Sequence, residues 1–358
     1  MKVALVYDRV NKWGGAERVL LALHKIFPDA PLFTSVYDRE HAPWARIFQV
    51  KPSFLQRFPF AQRHHELYAS LMPLAFEEMT LDGFELVISV TSEAAKGILT
   101  KPYTKHICYC LTPTRYLWSG YDEYFPNAGF RSIASPAISY LRRWDLQASV
   151  RPDALLAISQ EVKNRIQKYY KRDAAIVYPP VQLAEKAVLS RKQKQSDFYL
   201  VVSRLVPYKR VDLAIQACNK LQKNLKIVGV GSEETRLKSM AGPTIQFLGN
   251  LTDIELVEYY RSCKALIFPG KEDFGLVVVE AQGFGKPVIA YKGGGALETI
   301  IDRKTGLFFD RQNAASLTQA LVTFERVGFH KEACRKNAEQ FSFKHFKTRF
   351  LSIIAEVR

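Results

Sequence analysis

"KALIFPGKEDFGLVVVEAQGFGKPVIA" runs from Lys264 to Ala290. "KALIFPG" reads as a short apolar strand stopped by Pro269–Gly270. "KEDF" is a loop, a helix begins at about Gly275, and "KPVIAY" is the next strand. An apolar strand, a helix and a second apolar strand form a βαβ unit, whose strands must run parallel. Strands this continuously apolar need cover on both faces. Within the stretch, Glu272 and Glu280 flank Gly275, and three valines follow the glycine.

The same alternation fills the chain. In the first half the runs are "KVALVYD", "LFTSVYD", "FELVISV", "HICYCLT" and "ALLAISQ". In the second half they are "FYLVVSR", "LKIVGVG", "IQFLGN", "KALIFPG", "KPVIAY" and "TGLFFD". This predicts α/β architecture with two doubly wound parallel-sheet domains. A chain of 358 residues suits two domains. "VYPPV" (Val177–Val181) ends the first series, because a double proline continues neither a helix nor a central strand. The expected layout is a first domain over 1–180, a linker over 181–197 and a second domain over 198–340. A C-terminal amphipathic helix is expected over 341–358, with Phe343, Phe346, Phe350 and Ile353/Ile354 on one face, packing back toward the first domain.

Apolar residues make up 47% of the chain and the formal net charge is +16. The composition predicts a buried core, and the charge predicts anionic partners: phosphorylated small molecules, an anionic membrane or nucleic acid. Five cysteines fit neither a disulfide framework nor a zinc spacing and read as reduced core thiols. No stretch reads as a signal peptide or a membrane span. A cytoplasmic protein is the expectation.

The functional loops of a parallel sheet lie at the carboxyl ends of its strands. A helix start there offers N–H groups and partial positive charge to a phosphate. Two carboxylates would repel that phosphate, so their partners must be donors, such as the hydroxyls of a sugar and a ribose. Read alone, the spacing also fits acids that merely favour a helix N-terminus, with Glu280 solvated. "VVSRLVPYKRVD" (Val201–Asp212) tips the balance. It puts Ser203, Arg204, Lys209 and Arg210 at another strand end, where cations meet a diphosphate. "DRVNKWGGAERVLLAL" (Asp8–Leu23) places Gly14 and Gly15 between a strand and a helix, as a close-approach turn or a plain one. It is neither a dinucleotide fingerprint nor a P-loop.

Together "GGAERV", "SRLVPYKRVDLAI", "FLGNL", "EDFGLVVVEAQGFGKPVIA", "GGGALETI" and "DRKTGLFFD", in this order, resemble the retaining GT-B glycosyltransferases of family four. "RLVPYKR" and "CLTPTRYLW" are most similar to the bacterial mannosyltransferases that build O-antigen and exopolysaccharide. The resemblance implies that Arg204 and Lys209 bind and stabilise the leaving diphosphate, and that Glu272 holds the transferred sugar. It implies that Phe274, Gly275 and Leu276 give backbone N–H groups, and that Glu280 binds the ribose. Ser203 joins the donor site, and Gly14 and Gly15 close over the phosphates. Arg115 and Tyr116 are candidate donor or acceptor contacts. Related enzymes often carry a histidine where this chain has Leu111; His106, at the start of its strand, reads as a packing residue.

The implied activity is a metal-independent, retaining transfer of a hexose to a saccharide acceptor, with no cofactor. Mannose from GDP-mannose is the expected donor, and a UDP-sugar is the alternative. A nucleotide-sugar epimerase and a non-catalytic nucleotide-sugar-binding subunit are competing readings. The acceptor is expected to be lipid-linked. "KPSFLQRFPFAQRHHELYASLMPLAF" (Lys51–Phe76) mixes Arg57, Arg63, His64 and His65 with apolar residues, as a peripheral segment on the anionic inner face of a membrane would. Nucleic acid is not an expected partner, because the basic residues form no continuous stripe.

Overall fold

The computed structural model describes residues 1–182 and 196–357. The chain divides into two compact units, Met1–Pro180 with Phe346–Arg358, and Val181–His345. The sequence-based linker lies mostly outside the described residues. Val181 itself belongs to the second unit, where its N–H donates to the Phe341 carbonyl.

The first unit holds a seven-stranded sheet of β1 (Val3–Tyr7), β2 (Leu32–Thr34), β3 (Val50–Pro52), β4 (Leu86–Thr91), β5 (Lys105–Cys110), β6 (Ala154–Ala157) and β7 (Ala175–Ile176). The spatial order is β3-β2-β1-β4-β5-β6-β7, all parallel. The apolar pattern finds the five inner strands and misses β3 and β7. Both missed strands lie at edges and are half-exposed or exposed, so they carry no buried run to read. The C-terminal helix, Phe343–Val357, buries Phe346, Phe350, Ile353 and Ile354. Phe346 and Phe350 pack on the Tyr109 ring at centroid distances of 6.1 and 6.4 Å.

The second unit holds β8 (Tyr199–Val202), β9 (Leu225–Val228), β10 (Ile245–Gly249), β11 (Leu266–Phe268), β12 (Val288–Tyr291) and β13 (Gly306–Phe309). Their order is β10-β9-β8-β11-β12-β13. The apolar pattern locates all six. In both units the first three strands run outward to one side, and the fourth then pairs on the other side of the first. That doubly wound topology opens a crevice at the carboxyl ends of the two strands flanking the reversal.

The three valines are explained by packing. The helix Leu276–Gly283 buries Val278, Val279, Glu280, Ala281, Gln282 and Gly283. Val278 and Ala281 join Phe268, Leu266 and Val288 in one core. Lys51–Phe76 differs from an amphipathic segment of one piece. It is β3, two 3₁₀ stretches (Phe54–Arg57 and His65–Leu71) and the helix Met72–Glu77. His65 is buried and Arg63 pairs with Glu40 at 3.3 Å, so only part of its basic face is free of protein partners. Phe60 sits at φ +57°, a strained turn that interrupts any helix there.

Candidate active site

Two loops meet at the reversal in the second sheet. Lys209 ends the loop after β8, in the 3₁₀ turn Pro207–Lys209, and Glu272 lies in the loop after β11. Their side chains form an ion pair, the lysine 11% and the glutamate 23% exposed. Lys209 has three N–H donors. One reaches Glu272, which leaves the ammonium able to serve an anion while Glu272 accepts from hydroxyls.

The four basic and hydroxyl residues of that loop separate by partner. Arg210 turns away, with its Nε and Nη2 both 3.2 Å from the carboxylate of Asp212. Its φ of +52° starts the helix Val211–Leu221. Arg204 is exposed and donates from Nη2 to the Tyr208 hydroxyl at 2.6 Å. The Tyr208 ring lies 5.2 Å from the Lys209 ammonium, within cation–π range. Tyr208 therefore links the two cations that the resemblance implies, a contact no spacing in the sequence announces. Ser203 donates from Oγ to the Arg204 carbonyl at 3.0 Å.

Glycines bring these loops together. Gly275, at φ +89°, caps the helix Leu276–Gly283, and a Cβ there would meet the Phe268 ring at 3.0 Å. That helix start leaves its first N–H groups without intrahelical acceptors. Phe274 is buried, with its ring 5.5 Å from Phe341, so it anchors the loop through its side chain. Leu276 is half-buried. Gly295 donates its N–H to the Glu272 carbonyl at 2.9 Å, and a Cβ on Gly294 would stand 2.2 Å from that oxygen. The "GGG" run after β12 is thus a cradle for the Glu272 loop. Three glycines one residue after a strand are the available signal. Gly229, after β9, likewise lets the backbone of Ser203 approach.

Glu280 lies on the same helix, 8% exposed, and accepts from the Tyr260 hydroxyl at 2.8 Å. Tyr260 stacks on Phe284, so that oxygen is rigidly held. It is therefore a held, buried carboxylate rather than a solvated helix residue.

Gly14 and Gly15 belong to the first unit, where Gly14 is the N-cap of the helix Gly15–Ile26. A Cβ on Gly14 would meet Glu17 Oε2 at 3.2 Å. Glu17 is buried and accepts from the Tyr7 hydroxyl at 2.7 Å; burial raises its pKa. Near β1, the Asp8 carboxylate accepts from Thr91 Oγ1, Ser92 N, Glu93 N and Ala95 N at 2.7 to 3.1 Å. Burial and the Glu93 charge raise its pKa despite these bonds.

Arg115 and Tyr116 follow Thr114 in the loop after β5. That loop is tied down by Asp145, which accepts from Thr114 Oγ1 at 2.8 Å, Trp118 Nε1 at 2.7 Å and Tyr170 OH at 2.8 Å. The buried Lys96 ammonium completes the cluster 2.5 Å from Asp145. Burial opposes its charge, but the Asp145 carboxylate outweighs it and the pKa is raised. Arg115 and Tyr116 are half-buried on this anchored loop. Leu111 begins it at the carboxyl end of β5, donating its N–H to Thr91 O at 2.7 Å. His106 is fully buried in β5, and its Nε2 pairs with Ser89 Oγ at 2.8 Å. Burial pushes its pKa down to about 3, so it is a neutral packing residue.

Residues 184–341 match the family model for group 1 glycosyl transferases. An uncharacterized glycosyltransferase of Methanocaldococcus jannaschii is 28% identical over 202 residues, 55% of this chain and 56% of that protein. A GDP-mannose-dependent alpha-(1-6)-phosphatidylinositol monomannoside mannosyltransferase of Mycolicibacterium smegmatis is 31% identical over 138 residues, 34% of this chain and 36% of that protein. The chain spans about half the length of the curated relatives it matches first. Among solved structures, the Anabaena protein HepE in complex with UDP superposes with a TM-score of 0.73 at 20% identity, over 99% of this chain and 100% of that one. The lipopolysaccharide outer core galactosyltransferase WaaB gives 0.67 at 18%, over 98% and 99%. Residues 184–341 thus carry the sequence pattern of the group 1 glycosyl transferases, on a chain whose two Rossmann-like units have the GT-B fold.

Proposed function

We propose that the chain is a glycosyltransferase whose second unit binds a nucleotide-sugar. The meeting of Lys209 and Glu272 at the sheet reversal carries this reading. A cation for the diphosphate and a carboxylate for sugar hydroxyls stand in contact, beside the start of the helix Leu276–Gly283. Arg204 adds a second cation through Tyr208. As the bond to the leaving group breaks, negative charge grows on the diphosphate. Preorganised cations and helix N–H groups stabilise it there. Glu272 orients the sugar, and Glu280, positioned by Tyr260, takes the ribose.

The reaction is a front-face displacement that retains the anomeric configuration, with the leaving phosphate as base. It needs no metal, because Lys209 and Arg204 supply the positive charge. GDP-mannose is the proposed donor and a lipid-linked saccharide the proposed acceptor. Phe60 and Leu67, each more than two-thirds exposed, flank His64 on the segment proposed to touch an anionic membrane face. No helix of the described residues is long and apolar enough to cross a membrane. A UDP-sugar donor is the second reading, favoured by the UDP complex of HepE.

Calorimetric titration with GDP and with UDP, in EDTA, tests the donor. Tight GDP and weak UDP binding supports GDP-mannose and a metal-free site. The reverse pattern replaces the donor, and binding of neither removes the transferase reading. The anomeric proton coupling of the product, read by NMR, tests retention. Flotation with anionic liposomes tests the membrane contact, which fails if the protein stays unbound at low salt.

A further inference from the structure

A second cationic cluster lies at the opposite edge of the second sheet. Lys264 precedes β11, Lys286 precedes β12, and Lys331 opens the helix Lys331–Glu339. All three line a cavity of about 230 Å³ together with Gly285 and Glu325. Lys209 and Glu272 follow their strands, so the cavity sits at the amino edge, away from them.

Charge in this cavity does not balance. Glu325 is already engaged: it accepts from Tyr199 OH at 2.6 Å and pairs with Lys264 at 2.9 Å and Lys223 at 3.2 Å. Burial works against its charge, yet the Tyr199 hydroxyl and the two ammonium groups hold its carboxyl at about 2. Lys286 is 4% exposed and gives one N–H to the Cys263 carbonyl at 2.8 Å. That carbonyl closes the helix Asp253–Ser262, whose negative end meets part of the lysine charge. It does nothing for the neighbours. Burial lowers the Lys286 pKa, and the nearby Lys331 and Arg335 lower it further. Arg335 Nε is buried with no acceptor, and a Cβ on Gly285 would stand 3.3 Å from it. A buried guanidinium N–H without an acceptor is costly, and a cluster of like charges raises that cost.

We propose that this amino-edge cavity binds a small phosphate-bearing anion, held by Lys286 and Lys331, with the Arg335 guanidinium behind Gly285 adding positive charge. A phosphate supplies acceptors to the remaining ammonium N–H groups and neutralises the mutual repulsion of the cluster. The cavity is below the roughly 300–1,000 Å³ of pockets for drug-sized ligands, so it suits inorganic phosphate or a sugar phosphate rather than a whole nucleotide. The site stands on its own geometry and is independent of the proposed donor.

The test is calorimetric titration of the full chain with inorganic phosphate and with a hexose 6-phosphate. The variants are Lys331→Ala, Arg335→Gln and, as a control for the other edge, Arg204→Ala. Lys331 and Arg335 lie on an outer helix, so both variants should fold, and a thermal melt verifies it. The expected result is saturable binding that survives in Arg204→Ala and is weakened about tenfold or more in Lys331→Ala and in Arg335→Gln. Tighter binding of the hexose phosphate identifies a sugar phosphate as the ligand; equal binding identifies free phosphate. The proposal is overturned if binding does not saturate at millimolar concentration, if Arg204→Ala abolishes it, or if both other variants bind as the wild type does.

Discussion

The two units share one topology and use its reversal point differently. In the first, the crevice between β1 and β4 is closed by Asp8, 3% exposed, whose carboxylate is consumed by two hydroxyls and three backbone N–H groups. In the second, the crevice between β8 and β11 holds Lys209 and Glu272, an ion pair still open to solvent on both members. One carboxylate is spent on holding a loop; the other keeps acceptor capacity for a ligand. Position in the fold nominates a site, and the fraction of hydrogen-bonding capacity left over decides whether it can do chemistry.

The sharpest break with this view would come from the first unit's buried ion pair. Asp145→Ala leaves Lys96 charged and buried, and strands Trp118 Nε1, Tyr170 OH and Thr114. It should cost about 3–5 kcal/mol in denaturant unfolding, whereas replacing both partners by apolar residues should cost less. A smaller loss would mean that the loop after β5 is held by packing alone.

Lys209→Ala should behave in the opposite way. Stability by thermal melt should hardly move, because the pair is partly exposed. Turnover should fall by roughly 10²–10³, about 2.7–4 kcal/mol of barrier, by analogy with the loss of one oxyanion-hole donor. An unchanged rate removes Lys209 from the site. Tyr208→Phe should give a smaller fall, since it frees Arg204 without removing its charge.

Gly275→Ala should lower both stability and activity. The residue sits at φ +89° with the Phe268 ring 3.0 Å from the added Cβ, so strain of about 1–3 kcal/mol is expected by denaturant titration.

The mildest test is pH. His106 has a folded pKa of about 3 against an ordinary 6.5, because burial disfavours its charge. Its contribution is full above pH 6.5 and is lost as pH falls from there toward 3. The slope is at most about 1.4 kcal/mol per pH unit. His106→Asn should flatten the acid limb of the stability curve, and an unchanged slope would place the titration elsewhere.

By itself the sequence determined the two parallel sheets, because strands buried on both faces must be apolar throughout and apolar runs are legible; the strand order and its reversal points came from the topology. It missed β3 and β7, edge strands without such a run. It also placed Arg204, Lys209, Glu272 and Glu280 at strand ends or on the helix that follows one. Only the tertiary structure decided which of the neighbouring cations face one another. Arg210 pairs with Asp212, Tyr208 joins Arg204 to Lys209, and the glycines at 294 and 295 seat the Glu272 loop. These are contacts between side chains far apart in sequence or set by a single backbone dihedral, and no local period encodes them. The amino-edge cations were invisible for the same reason: Lys264, Lys286 and Lys331 are unremarkable until the sheet brings three loops to one cavity.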